Sequence, residues 1–352
     1  MVKVLMKGNE AIGEAALKAG CRYFFGYPIT PQSELPEYLA RRLPEVGGVY
    51  LQAESEVAAI NMVYGAAGSG ARVMTSSSSP GISLKQEGIS YIAGAQLPCL
   101  IVNVTRGGPG LGSIQPAQSD YNQSTKNGGH GDYRLIVLAP NSVQEAVDLT
   151  VKGFALADKY RNPVMLLADG VIGQMMEPVE FPESLTSLPE KPWATCGKGE
   201  RERNIVNSLY IDPYELEQHN IRLKANLDKI SENEIMSEAY LTEDAELILI
   251  AYGTSARIAQ GVVDEAREAG LKLGLFRPIT LWPYPSEELR KATLNARALL
   301  CVEMSSLGQM VDDVKLAVQC QKPVYFYGRS GGVIPTVEEV YAKCSELLKE
   351  GV

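Results

Sequence analysis

Glu56 is a candidate for proton transfer. It follows a strand predicted over residues 49–52 and stands in the first turn of a predicted helix, directly after Ser55. A carboxyl group beside a buried strand can exchange a proton with a bound ligand, which would make Glu56 catalytic. A structural role suits the same position, because a first-turn carboxylate stabilises a helix and Ser55 fits its N-cap. The residues alone leave both interpretations open.

Arg106 is a candidate for binding a carboxylate. It follows the apolar run 99–104 and opens a loop with glycine at positions 107, 108, 110 and 112. A planar guanidinium can donate to both oxygens of a carboxylate, and glycines let the backbone approach a ligand closely. The alternative is that Arg106 forms a structural ion pair.

Two further segments place hydroxyl groups after predicted strands. In residues 26–31, Pro28 and Pro31 stiffen the chain and favour an extended backbone at Thr30, whose hydroxyl could bind a small polar ligand. A rigid turn is the alternative. In residues 75–81, Ser79 and Gly81 stand at a predicted helix start, which can bind an anion or the edge of a ring. Here the alternative is a plain flexible turn.

The elements that must position these residues are typical of an α/β fold. Short β-rich runs alternate with amphipathic segments, which predicts a parallel sheet covered by helices. Most of the strand candidates are continuous apolar runs, as a sheet buried on both faces requires. In such sheets ligands bind at the loops that leave the carboxyl ends of the strands, and the four segments above are loops of that kind.

Length and composition predict two domains and argue against several classes of function and location. The 352 residues exceed one typical core, and the polar, charged stretch 186–243 favours a boundary. We therefore expect a first domain over residues 1–185, a linker over 186–243 and a smaller α/β domain over 244–352. The net charge of −9 argues against a nucleic-acid partner. Neither an apolar run of the ~18 residues a membrane span needs nor a secretory signal is evident, so the cytoplasm is expected.

The order and spacing of these segments resemble the 2-oxoacid:ferredoxin oxidoreductases. The matching segments are residues 26–31, 54–59, 106–112, 129–133, 276–283, 303–310 and 327–329. The resemblance implies an alpha-type subunit built from two three-layer α/β domains with parallel sheets. The first would have the thiamine diphosphate-binding fold of the pyrimidine type, and the second would be a transketolase C-terminal-like domain.

The resemblance also assigns roles to the candidate residues. It implies that Glu56 contacts N1′ of the cofactor's aminopyrimidine ring and that Thr30 and Arg106 bind the 2-oxoacid. It further places Pro28, Ser79 and Gly81, with Glu56, at the cofactor.

Several parts of such an enzyme are missing from the sequence, which implies partner subunits. The six cysteines lie far apart and form no C-x-x-C pair, so they match no iron–sulfur ligand pattern. Residues 168–170 (Ala-Asp-Gly) are similar to the metal-binding triplet of thiamine enzymes, but they end the first domain's last strand, and no metal is assigned to them. Thiamine diphosphate would be shared with a beta-type subunit that holds Mg²⁺ and iron–sulfur clusters. Gamma-type and ferredoxin-like subunits, ferredoxin, coenzyme A and a second copy of this chain are the other expected partners.

The glycine loop distinguishes among possible substrates. It lacks the Ser-Thr pair common in members that act on 2-oxoglutarate, and it looks most like the branched-chain branch. The implied reaction is coenzyme A-dependent oxidative decarboxylation of 3-methyl-2-oxobutanoate to acyl-CoA and CO₂, with reduction of ferredoxin in an anaerobic or microaerobic host. The alternatives are a 2-oxoglutarate or pyruvate enzyme and a non-catalytic assembly subunit.

Overall fold

A computed structural model describes residues 3–185 and 187–350, so positions 1, 2, 186, 351 and 352 of the expected domain ranges lie outside it. The strands are β1 (Val4–Lys7), β2 (Tyr23–Gly26), β3 (Val49–Gln52), β4 (Val73–Ser77), β5 (Leu100–Thr105), β6 (Ile136–Leu138), β7 (Val164–Asp169), β8 (Met176–Val179), β9 (Ser237–Tyr240), β10 (Leu247–Ile250), β11 (Leu273–Pro278), β12 (Thr280–Trp282), β13 (Ala298–Glu303) and β14 (Val324–Gly328). The helices are α1 (Gly8–Lys18), α2 (Glu34–Glu45), α3 (Glu56–Gly68), α4 (Ser79–Gly94), α5 (Tyr121–Thr125), α6 (Val143–Tyr160), α7 (Gly170–Gln174), α8 (Pro213–Asn233), α9 (Gly253–Glu268), α10 (Ser286–Ala292), α11 (Met310–Ala317) and α12 (Val337–Lys349).

The larger sheet has seven strands in the order β12-β6-β7-β5-β4-β2-β3. All neighbouring pairs are parallel except β12 with β6. Every residue of β4, β5 and β7 is buried, which agrees with the mainly apolar sequences of β5 and β7, whereas β4 also buries Thr75, Ser76 and Ser77. Helices α1, α2 and α6 pack on one face, while α3 and α4 pack on the other.

The second sheet has the order β14-β13-β10-β11-β9, with only β9 antiparallel to its neighbour. Helices α9 and α12 cover one face. The other face shares a continuous apolar cluster with α3 and α4 of the first unit, through residues such as Ile248, Leu299 and Met310. Two three-layer α/β units with largely parallel sheets confirm the predicted fold class.

The segment between the two units wraps over the first one. Trp193 lies 4.3 Å from the Arg161 guanidinium, and Lys191 forms an ion pair with the buried Asp158 at 2.6 Å. The segment then forms α8 and the edge strand β9, so Ser237–Tyr240 belongs to the second sheet.

Buried polar contacts join the ends of the two sheets. Asp169 accepts hydrogen bonds from the backbone N–H and the hydroxyl of Thr254, at 3.0 and 2.6 Å. Gln118 donates to the Tyr252 carbonyl and accepts from Ser255 and from the Met304 N–H. Gly253 has a positive φ, and a Cβ there would lie 2.9 Å from an Asp169 oxygen, so a side chain would disturb the junction. Within the described residues, no helix is both long and apolar enough to cross a membrane.

Candidate functional site

The candidate residues stand where β2, β3, β4 and β5 end. Thr30 follows β2, Glu56 opens the helix after β3, Ser79 and Gly81 open the helix after β4, and Arg106 follows β5. Because these strands are parallel neighbours in one sheet, their carboxyl ends share one edge.

Glu56 is buried without a hydrogen-bond partner for its carboxylate. Its exposed fraction is 6%, whereas Glu54 is exposed. Ser55 caps α3 by accepting from the Ala58 N–H at 3.2 Å, as the sequence predicted, so the cap does not depend on Glu56. No described residue donates a hydrogen bond to the Glu56 side chain. A buried carboxylate left unpaired in this way is suited to meeting a ligand atom.

Gly81 lies directly against Glu56. A Cβ at position 81 would stand 2.7 Å from Glu56 Oε1 and would overlap Ser77 Oγ, so only glycine fits there. The hydroxyls of Ser77 and Ser78 are also buried without partners in the described structure. The unpaired carboxylate and the two hydroxyls offer hydrogen-bonding groups that match the polar edge of a heterocycle such as an aminopyrimidine.

The structure brings Arg106 and Thr30 together. The two Nη atoms of Arg106 donate to the carbonyls of Thr30 at 3.0 Å and Leu111 at 3.1 Å, and its Nε is buried without a partner. No described carboxylate forms an ion pair with Arg106, so the ion-pair alternative finds no support among residues 3–185 and 187–350. Arg106 joins the 26–31 loop to the glycine loop and retains donors for a carboxylate.

Ser79 is held against the end of β5. Its hydroxyl accepts from the Arg106 N–H at 3.0 Å and donates to the Arg106 carbonyl, and its own N–H donates to Asn103. Residues 76–81 are therefore the end of a buried strand and the start of a helix, and the flexible-turn alternative is wrong. Pro28 is exposed on the 26–31 loop and is not among the residues that line the cavities described next.

Two cavities flank these residues. The larger, about 640 Å³, lies between Ser79, Gly107–Gly110 and the second unit's residues 304–307 and 330–331. The second, about 470 Å³, is lined by Thr30, Glu34, Gln115 and Ile334 among others. Glu303 fixes the wall of the larger cavity, because its fully buried carboxylate accepts from the N–H groups of Gln309, Met310 and Val311. Both units of the chain thus shape the site.

Sequence reasoning missed the polar residues beneath the site. Lys85 is fully buried on α4, and its Nζ donates to Thr75 Oγ1 at 2.6 Å and to the Ser76 carbonyl at 3.1 Å. Burial lowers the pKa of Lys85 to about 7, although the charge of Glu56 acts to raise it. Ser76 also hydrogen-bonds to Gln32 of the 26–31 loop region. The sequence feature that could have revealed this residue is a lysine one helical turn after Gly81.

Metal ligands are not grouped in the described structure. Residues 3–185 and 187–350 contain no cluster of three or more His, Cys, Asp or Glu side chains that could hold a metal ion. Asp169, in the triplet similar to a metal-binding motif, instead caps α7 and joins Thr254. Its hydrogen-bonding capacity is used within the chain.

Two family models match the chain. One, described as pyruvate flavodoxin/ferredoxin oxidoreductase, thiamine diphosphate-binding, matches residues 14–236. The other, described as pyruvate:ferredoxin oxidoreductase core domain II, matches residues 245–340. Together they span most of the sequence.

Similar proteins include the ketoisovalerate oxidoreductase subunit VorB of Methanothermobacter marburgensis, which is 53% identical over 99% of both chains. The 2-oxoglutarate synthase subunit KorA of Methanothermobacter thermautotrophicus is 39% identical and covers 95% of this chain and 96% of that one. Among solved structures, the 2-oxoglutarate:ferredoxin oxidoreductase from Magnetococcus marinus, with 2-oxoglutarate, coenzyme A and succinyl-CoA bound, has a TM-score of 0.89 at 27% identity. The comparison covers 98% of this chain but only 65% of that one, so the solved chain is considerably longer.

Proposed function

The chain belongs to the 2-oxoacid:ferredoxin oxidoreductase family, and we propose that it is the alpha-type subunit of an enzyme that oxidises branched-chain 2-oxoacids. The reaction is coenzyme A-dependent: 3-methyl-2-oxobutanoate, coenzyme A and oxidised ferredoxin give acyl-CoA, CO₂ and reduced ferredoxin. The observation that carries the catalytic part is the buried, unpaired Glu56 carboxylate against Gly81.

Glu56 is the residue proposed to meet thiamine diphosphate, at N1′ of the aminopyrimidine. When bound, the cofactor would supply a nucleophilic carbon and an acceptor for the electron pair left by loss of CO₂. Glu56, which is only 6% exposed, would contact N1′ and exchange a proton with it. Gly81 and Ser79, at the start of α4, would contact the ring, while Pro28 would stiffen the neighbouring 26–31 loop.

Arg106 and Thr30 are proposed to hold the 2-oxoacid. The guanidinium is already fixed by the carbonyls of Thr30 and Leu111, so its free N–H groups are oriented before the substrate arrives. The substrate carboxylate binds those groups, and the Thr30 hydroxyl binds the adjacent oxygen. Fixing both partners in advance reduces the entropy lost on binding.

Partner subunits complete the proposed enzyme. The scattered cysteines and the lack of a ligand cluster in the described residues support placing Mg²⁺ and the iron–sulfur clusters on a beta-type subunit, which also binds the diphosphate. Within the complex we place two copies of this chain with beta-type, gamma-type and ferredoxin-like subunits. Ferredoxin accepts the electrons.

Substrate preference is the finer part of the proposal. Residues 107–112 offer glycine, proline and the 83% exposed Leu111, with no group that could pair with a second carboxylate. Burying an unpaired charge is costly, so the pocket should discriminate against the dianion 2-oxoglutarate. The test is a competition assay on the reconstituted complex, in which branched-chain 2-oxoacids should have the highest kcat/KM. A preference for 2-oxoglutarate would overturn the assignment.

A further inference from the structure

Lys85 shares one face of α4 with Gly81. The two residues are four apart, so they are neighbours on the helix surface, and both are buried. On the facing strand, Thr75 and Ser77 are two apart and point to the same side of the sheet. Thr75 accepts a hydrogen bond from Lys85. Ser77 packs beside Gly81, which also lies against the Glu56 carboxylate. Lys85 therefore lies one helical turn along α4 from the glycine that faces the Glu56 carboxylate.

Full burial of an ammonium group has a desolvation cost, so an interaction that compensates its charge is expected. The hydrogen bonds to Thr75 and Ser76 satisfy two of its three N–H donors, but neither partner carries a compensating charge. Glu56, from α3, is the charged group whose field favours the protonated form of Lys85. A methionine of similar shape would fill the same space without the desolvation penalty.

We propose that Lys85 is a positioning residue that acts through Glu56, its buried positive charge stabilising the Glu56 carboxylate formed when the Glu56 proton passes to N1′ of the aminopyrimidine. This inference rests on the proposed function of Glu56. The proton moves from Glu56 to N1′, and no other bond changes. A cation behind the carboxylate makes Glu56 a better donor, so the cofactor is activated more readily.

The first measurement is exchange of the cofactor's C2 proton for deuterium in the reconstituted complex, followed by acid quench and NMR. The assay is run near pH 6, where Lys85 holds its proton. Lys85→Met should slow the exchange about tenfold or more, the effect of losing a neighbouring opposite charge. Lys191→Met removes a largely buried lysine paired with Asp158 in the connecting segment, and it should leave exchange unchanged. Exchange at the wild-type rate in Lys85→Met would overturn the proposal.

The second measurement needs no cofactor and leaves Lys85 in place. Glu56→Gln should lower the Tm of the full chain more at pH 6, where Lys85 is charged, than at pH 9, where it is neutral. In the Lys85→Met background this pH dependence should disappear. Equal losses of Tm at both pH values would contradict the pairing, and this result decides the matter if Lys85→Met does not fold.

The two sets of variants separate the two proposals. Normal C2 exchange in Glu56→Gln would refute the proposed function of Glu56, and with it the role inferred for Lys85. Slow exchange in Glu56→Gln with normal exchange in Lys85→Met would remove only the role of Lys85.

Discussion

Replacing Glu56 with glutamine is the most direct test of the catalytic site. The substitution keeps the size of the side chain and its capacity for hydrogen bonds, but it removes the exchangeable carboxyl proton. Ser55 still caps α3, and glutamine has nearly the shape of glutamate, so the close contact with Gly81 is kept. The variant chain should therefore fold and assemble with its partner.

The expected magnitude follows from the two possible roles of Glu56. As an acid–base group, its loss should slow C2 proton exchange by about 10²–10⁴, or about 3–5 kcal/mol in activation free energy. As a helix-dipole partner alone, its loss should cost about 1 kcal/mol of stability or less and leave the chemistry nearly normal. The two outcomes differ by orders of magnitude in rate, so one assay separates them.

The assay is C2 proton exchange measured by NMR on the reconstituted complex, with Glu54→Gln as the matched control. Glu54 is two residues away and exposed, so its substitution should be mild. Near-normal exchange in Glu56→Gln would refute the reasoning. Loss of exchange in Glu54→Gln together with a mild Glu56→Gln would mean that the catalytic glutamate lies two residues earlier.

Three further outcomes are expected. Arg106→Lys keeps the charge but loses the planar fork, so KM for the 2-oxoacid should rise by a factor equivalent to about 2–4 kcal/mol, and unchanged steady-state kinetics would assign carboxylate binding elsewhere. The purified chain with thiamine diphosphate and coenzyme A should not reduce a low-potential dye, and turnover by this chain alone would show that no partner is needed. An unfolded lysine keeps its proton up to about pH 10.5, whereas folded Lys85 loses it near pH 7. As the pH rises between these values, the free energy of unfolding of wild type should therefore increase relative to that of Lys85→Met by up to about 1.4 kcal/mol per pH unit, as measured by denaturant titration. A pH-independent difference would contradict the lowered pKa.

The local features of this fold could be predicted from sequence because their causes are local. The strands β5 and β7 follow from mainly apolar runs, and the Ser55 cap follows from one hydroxyl before a helix start. The two neighbouring glutamates differ in burial, since Glu56 enters the buried face of α3 while Glu54 is exposed.

Pairings between distant segments could not be predicted in this way. β12 lies in the second half of the chain, yet it pairs with β6 and completes the first sheet. β9 comes from the polar stretch expected to be a linker, and its sequence Ser-Glu-Ala-Tyr, with no buried residue, gives no buried-strand signal. The burial of Lys85 could not be predicted either, because a lone lysine in a helix is normally solvated and only its neighbours in the structure show that it is buried.

Asp169 joins the two units of the chain beside the end of β5. The sequence left this residue without a role, but its carboxylate holds the start of α9 through Thr254, and burial raises its pKa even though those hydrogen bonds oppose the shift. The same junction brings Gly331 against Gly107, where an added Cβ would lie 3.3 Å from the Gly331 carbonyl carbon. Gly107 directly follows Arg106, so the loop that fixes the guanidinium is supported from the second unit. The second unit therefore supports the loop that begins at Arg106, through a backbone contact at Gly107.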